Sequence, residues 1–172
     1  MTPLVEKFVL HWGEMGARWG VNRSVAQIHA LLYLSPKPLS AEEIADALAI
    51  ARSNVSNSIR ELQSYELVTV THVIGDRRDY FNAESDPWEI MLRIAEGRKK
   101  REIDPLLTML RACANEADAD PQTEAEVKTR IAAMLTFVED LSSWYDQVRR
   151  LPRATLQTVV RLGARIANVI RR

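Results

Sequence analysis

The chain has 172 residues, 47% of them apolar and 27% charged, with 23 basic side chains balanced by 23 acidic ones. That length holds one domain, or a small domain with a helical extension, and the composition suits a globular core. Zero formal net charge gives no global electrostatic reason to bind nucleic acid, and the single cysteine, Cys113, excludes an internal disulfide.

The spacing predicts a mostly α fold with a small β wing: a winged helix-turn-helix followed by a C-terminal helical dimerisation region. Three segments are expected: an N-terminal helix over 1–20, the winged helix over 21–86, and a helical dimerisation and effector region over 87–172. In the first, Val5, Phe8, Val9, Trp12, Met15, Gly16 and Trp19 recur at helical spacing and Gly20 closes the helix. Val25–Leu34 reads as an apolar helix, followed by the Pro-bounded loop Ser35-Pro36-Lys37-Pro38. Ser40 and Glu43 have the spacing of a capping box, in which each side chain satisfies an orphaned amide at the start of a helix running to Leu48. After the turn Ala49-Ile50-Ala51, a helix over Arg52–Tyr65 puts Val55, Ile59 and Leu62 on one face, with Ser53, Asn57, Arg60 and Ser64 opposite. Leu67–Ile74 is β-branched and predicts a strand, Gly75-Asp76-Arg77-Arg78 a turn, and Asp79–Ala83 the returning strand.

Beyond the wing, Asp86-Pro87-Trp88-Glu89 is a helix start, and the helix should run to about Asp104, where Pro105 kinks or breaks it. Leu106, Leu107 and Leu110 carry the apolar face on to Cys113, and Asn115 to Gln122 reads as a polar break. Val127, Ile131, Met134, Val138, Leu141, Tyr145 and Val148 then follow a heptad seam that Pro152 ends. In the last helix, Arg153 to Arg172, an apolar side runs through Leu156, Val159, Val160, Gly163, Ile166, Ala167 and Ile170, and Gly163 suits the close approach of another helix.

A helix end that shows solvent only Ser, Asn and Arg is explained by a groove better than by stability. Residues expected to face DNA are Lys37, Arg52, Ser53, Asn54, Ser56, Asn57 and Arg60, with Arg77 and Arg78 on the wing. Guanidinium groups at a hairpin tip reach a phosphate or a minor groove. The local balance opposes this: Ser40–Asn82 holds four arginines against seven carboxylates, so binding must rest on geometry or on two copies acting together. Arg98-Lys99-Lys100-Arg101 is a second basic cluster.

These residues resemble the GbsR/MarR type of bacterial transcriptional regulator. The likeness is carried by Phe8-Val9-Leu10-His11-Trp12-Gly13-Glu14-Met15-Gly16, Leu39–Ala45, Ser53–Leu62, Gly75–Phe81, Asp86–Glu89 and Arg101–Pro105, and covers roughly residues 5 to 110 in order. It implies a homodimer that binds a palindromic operator with two winged helices, as a repressor.

Catalysis finds no foothold. His11, His29 and His72 lie on three separate elements without metal-ligand spacing, and Gly13-Glu14-Met15-Gly16 lies inside a helix, so no enzyme, metal or cofactor is expected. Two other functions are considered: a winged helix used only for protein contacts, and a regulator that responds to oxidation of Cys113. Trp12, Trp19, Trp88, Trp144 and Tyr145 are candidates for an aromatic cage around a quaternary ammonium effector, against the alternative that they fill the core or a dimer interface. Arg161, Arg165 and Arg172 oppose the last apolar stripe as in interfacial helices, although Gly163 and the lack of Trp or Phe favour a helix partner. No apolar run approaches the ~20 residues of a membrane span and no signal-peptide pattern is present, so the expected location is the cytoplasm.

Overall fold

A computed structural model describes residues 1–162. Its elements are α1 (Pro3–Arg18), α2 (Arg23–Leu34), β1 (Leu39–Ser40), α3 (Ala41–Leu48), α4 (Arg52–Ser64), β2 (Val68–His72), β3 (Asp79–Ala83), α5 (Pro87–Arg98), a π-helical turn (Lys99–Ile103), α6 (Asp104–Ala119), α7 (Ala125–Val148) and α8 (Arg153–Leu162). The fold class is the expected one, mostly helical with a small antiparallel wing. Internal contacts separate one unit ending at Gly97 from a second beginning at Arg98, so α1 and nearly all of α5 fall with the winged helix.

In the first unit α2 is the hub. Asn22 caps it by accepting from the Ser24 amide at 2.9 Å, and Val25, Ala26, Ile28, His29, Ala30, Leu31 and Leu32 are all buried. Helices α1, α3 and α4 and strand β3 pack around it. Helix α1 comes very close: a Cβ on Gly16 would lie 2.5 Å from the Ala26 Cβ, so the glycine permits that approach. The capping box is present, with the Ser40 amide donating to Glu43 at 2.7 Å and the Glu43 amide donating to Ser40 Oγ at 3.3 Å. Helix α3 ends on Ala49 in the left-handed region (φ 52°), and the chain turns directly into α4, whose Val55, Ser58, Ile59 and Leu62 enter the core.

The sheet has the order β1-β3-β2, with Val70 opposite Phe81 and His72 opposite Asp79. Strand β2 stops at His72, short of the expected Ile74. Pairing ends where β3 begins, and the Asp76 amide donates to the Val73 carbonyl at 3.0 Å in a turn that needs Gly75 at φ 86°. Val73 and Ile74 therefore stand exposed at the tip despite their β propensity. Helix α5 starts as expected, the Trp88 amide donating to Asp86 at 2.9 Å. Arg93 on α5 donates to the Glu66 carbonyl and pairs with Glu84 at 3.0 Å, tying this helix to both ends of the wing.

In the second unit the expected disturbance at Pro105 appears as the π-helical turn. Proline has no N–H for the carbonyl of Arg101, and the wider turn lets the helix continue. The polar break expected from Asn115 is a correction: α6 runs to Ala119. Ala112, Ala114, Ala117 and Ala119 favour helix strongly enough to carry Asn115, Glu116 and Asp118 with them. The break is a short turn in which Asp120 accepts from the Gln122 amide at 2.9 Å and the Thr123 hydroxyl at 2.7 Å.

Helices α6 and α7 close over Leu107, Leu110 and Val138, flanked by Ile103, Leu106 and Leu135. This divides the heptad seam. Val138 is buried and Ile131, Tyr145 and Val148 are half-buried, whereas Val127, Met134 and Leu141 are exposed beside Phe137 and Trp144. On α8 Leu156 is buried and Val159 and Val160 are exposed. The expectations for Gly163, Arg165, Ile166, Ala167, Ile170 and Arg172 lie outside the described residues.

His29 is the exception in the apolar hub. Burial among α2's neighbours lowers its pKa to about 4 and keeps it neutral. Since the folded pKa lies below the unfolded value, stability is complete above about pH 6.5 and falls as the pH drops towards 4, by about 1.4 kcal/mol per pH unit. Urea unfolding between pH 6.5 and 5 should show this slope in the wild type and lose it in His29→Leu; equal slopes would refute a buried neutral imidazole.

Candidate nucleic-acid interface

Helix α4 is held from one side only. Its buried residues lock against α2 and β2, and Ser53, Asn57, Arg60 and Ser64 are exposed along the other side. Arg60 donates to Asn57 Oδ1 at 2.9 Å, so guanidinium and carboxamide are presented together. Arg52 opens the helix and pairs with Glu42 at the start of α3. Ser56 is half-buried, its hydroxyl donating to the Arg52 carbonyl at 3.2 Å.

Asn54 does not join this face. Its Nδ2 donates to Ser24 Oγ at 3.0 Å and its Oδ1 accepts from the buried Ser58 hydroxyl at 3.4 Å, so the side chain staples α4 to α2. One residue along a helix turns by about 100°, and that step separates inward Asn54 from outward Ser53. Lys37 lies on the loop before β1, paired with Glu43 at 3.6 Å.

The two wing arginines differ. Arg78 grips Asp76 through Nε and Nη2, at 3.0 and 2.6 Å to Oδ2, and its guanidinium carbon lies 5.3 Å from the centre of the Tyr80 ring. The Tyr80 hydroxyl donates to the same carboxylate oxygen at 2.8 Å. These bonds hold the Asp76 carboxyl far below the usual carboxylate range and push the Tyr80 phenol up. Arg78 is thus part of the frame of the wing. Arg77 is exposed and, among the described residues, makes no hydrogen bond or ion pair. Asp76, Arg78 and Tyr80 alternate at a spacing of two, which is the signal for one face of an extended segment.

Between α3, α4 and the wing a cleft of about 380 Å³ opens, lined by Glu42, Arg52, Ser56, Arg60, Arg77 and Asp79 among others. The structure therefore gathers Arg52, Ser56 and Arg60 of α4 and Arg77 and Arg78 of the wing around one hollow. In the second unit Lys99 is fixed on Asp104 at 2.7 Å and Arg98 on Glu102 at 3.7 Å, so those cations of the basic cluster already have carboxylate partners. Among the described residues no group of His, Cys, Asp and Glu could hold a metal ion, and no helix is long and apolar enough to cross a membrane.

Comparison with known proteins agrees with this architecture. A profile of the MarR family matches residues 16–79, from the end of α1 to the start of β3. The chain is 31% identical over 126 residues to the HTH-type transcriptional regulator MmpR5 of Mycobacterium tuberculosis, covering 68% of this chain and 71% of that protein. This chain belongs to the MarR family. It is 17% identical to the HTH-type transcriptional repressor OpcR of Bacillus subtilis, over 77% of this chain and 74% of OpcR. A crystal structure of a transcriptional regulator superposes with a TM-score of 0.58 at 26% identity, covering 84% of this chain and 99% of that one. As a MarR-family member the chain is a transcriptional regulator and not an enzyme.

For this MarR-family wing, Arg77→Ala is expected to flatten the salt dependence of duplex binding by about 0.9 in log–log slope per copy, with unchanged thermal stability. Arg78→Ala should instead speed amide exchange across the tip between β2 and β3. Identical salt slopes for wild type and Arg77→Ala would take the tip off the phosphates.

Proposed function

We propose that this regulator binds a palindromic operator as a homodimer and represses transcription, with α4 in the major groove and Arg77 of the wing on the neighbouring backbone or minor groove. The observation that carries this reading is the face of α4. Ser53, Asn57, Arg60 and Ser64 are exposed on a helix whose opposite face is locked into the core. Asn suits the adenine edge and Arg the guanine edge or a phosphate. The contact set proposed is Arg52, Ser53, Ser56, Asn57, Arg60 and Arg77, with Lys37 as an outer phosphate contact and Arg78 supporting the wing. Asn54 holds α4 in place.

Repression is supported by the likeness to OpcR, which is named a repressor. The resemblance of the motifs before and after the winged helix supports a GbsR-type reading within the family, and a cytoplasmic location goes with that role. Within the chain, 21–86 is the DNA-binding domain, and the apolar faces of α1 and α7 supply the dimer contacts. Exposed apolar side chains support the homodimer: Leu4, Leu10 and Trp19 on and just after α1, and Val127, Met134, Phe137, Leu141 and Trp144 on α7. Left wet, such stripes would cost roughly 25 cal/mol per Å². Two copies would present their α4 helices about one DNA turn, roughly 34 Å, apart. A small-molecule effector is part of this proposal only as an aromatic-site ligand. Trp12 stacks on Phe8 at 5.5 Å, an arrangement that serves an interface equally well. The redox reading finds little support: Cys113 is half-buried, with its thiol 3.5 Å from Met109 Sδ.

Asn57→Ala and Arg60→Ala should each lose about 1–3 kcal/mol in binding to a duplex selected from a randomised pool, with thermal stability unchanged. Wild-type affinity in both variants would show that α4 does not read bases. Phe137→Glu combined with Trp144→Glu should convert the dimer to a folded monomer in sedimentation at micromolar concentration. A wild type that sediments as a monomer removes the palindrome with the dimer.

A further inference from the structure

The cleft between α3, α4 and the wing holds four arginines, yet two of them are ion-paired within the chain and a third donates to a carboxamide. Arg52 pairs with Glu42, Arg78 with Asp76, and Arg60 donates to Asn57. Glu42 is central to this arrangement. It sits in the first turn of α3, where the helix dipole stabilises a carboxylate, and it lines the cleft together with Arg52, Arg60, Arg77 and Arg78. Its charge also falls on the Arg78 guanidinium. A carboxylate here repels every phosphate that approaches, and it occupies the cation at the head of the recognition helix.

We propose that Glu42 is a specificity-determining residue, which holds Arg52 away from DNA phosphates until the recognition helix is seated in a matching groove. The proposal rests on the DNA-binding reading above and adds a condition to it. In a loose encounter with arbitrary sequence, the protein stands off the groove and Arg52 keeps its carboxylate partner. When Ser53, Asn57 and Arg60 engage matching base edges, the same movement brings a phosphate to the N-terminus of α4, and Arg52 exchanges one anion for the other. Sequence-independent capture therefore uses fewer cations than specific binding. Over Ser40–Asn82, where carboxylates outnumber arginines, that keeps the protein off bulk DNA.

The experiment is fluorescence anisotropy on the full chain with two probes: a random-sequence duplex of about 30 base pairs, and the tightest duplex of that length selected from a randomised pool, at about 50 to 200 mM salt. Side chains 42 and 52 are 42% and 59% exposed, so Glu42→Gln should fold as the wild type does, which thermal melting checks. For Glu42→Gln the random duplex should bind about three- to tenfold more tightly, with a log–log salt slope steeper by about 0.9 per copy. The selected duplex should gain less, so the ratio between the two falls.

In an Arg52→Ala background the effect of Glu42→Gln on the random duplex should shrink. Asp118→Asn, an exposed carboxylate on α6, should leave both probes unchanged. An unaltered random-duplex affinity, an unchanged ratio, an undiminished effect without Arg52, or an equal effect from Asp118→Asn would each overturn the proposal. A wild type that binds neither probe would overturn the DNA-binding reading itself, and this inference with it.

Discussion

Burial of α2 on every side is the constraint from which the rest of the first unit follows. A helix enclosed this way has no polar face to orient it, so its neighbours must: α1 at glycine distance, α3 through a capped start, and α4 through Val55, Ile59 and Leu62. Asn54 adds a polar bridge, to Ser24 at the head of α2. With one side of α4 fixed so completely, its other side is free to be chosen for chemistry. That is why its exposed residues are small, polar or cationic, and none is apolar.

The electrostatics follow a different logic. Specific DNA-binding surfaces are commonly basic, whereas the surface proposed here is locally acidic and holds Arg52 and Arg78 in ion pairs. Pairing costs little at the surface, where an exposed ion pair contributes about 0–1 kcal/mol, so the arrangement is not explained by stability. On the role proposed for Glu42, it is explained by control over which cations a phosphate meets first. Arg77, at the tip, is unengaged among the described residues, whereas Arg78, one residue on, is bound into the frame.

Much of this was legible beforehand, because the decisive signals are local. The capping box of Ser40 and Glu43, the start at Asp86-Pro87 and the two faces of α4 depend on side chains a few residues apart. What could not be read required partners from elsewhere. Asn54 looked like its neighbours until Ser24 and Ser58 were brought beside it. Val73 and Ile74 carry strand propensity, but a strand needs an opposite residue, and β3 supplies none beyond Asp79. Asn115 to Ala119 shows the opposite case, in which polar composition suggested a break while alanine favoured helix. The 4-3 seam on α7 is continuous in sequence, and α6 covers only part of it.

Ala49 has a consequence for how the recognition helix meets a ligand. The turn between α3 and α4 passes through the left-handed region, where glycine is the relaxed choice, yet alanine stands there. A Cβ disfavours that conformation, so the turn is held there by the packing of α3 and α4 on each other and on α2, which sets the angle between the two helices before any partner arrives. Little ordering of this segment then remains to be done on association, and that entropy is not subtracted from the affinity. The corresponding disadvantage is rigidity: a groove of slightly different width must itself deform to fit, because the helix pair will not.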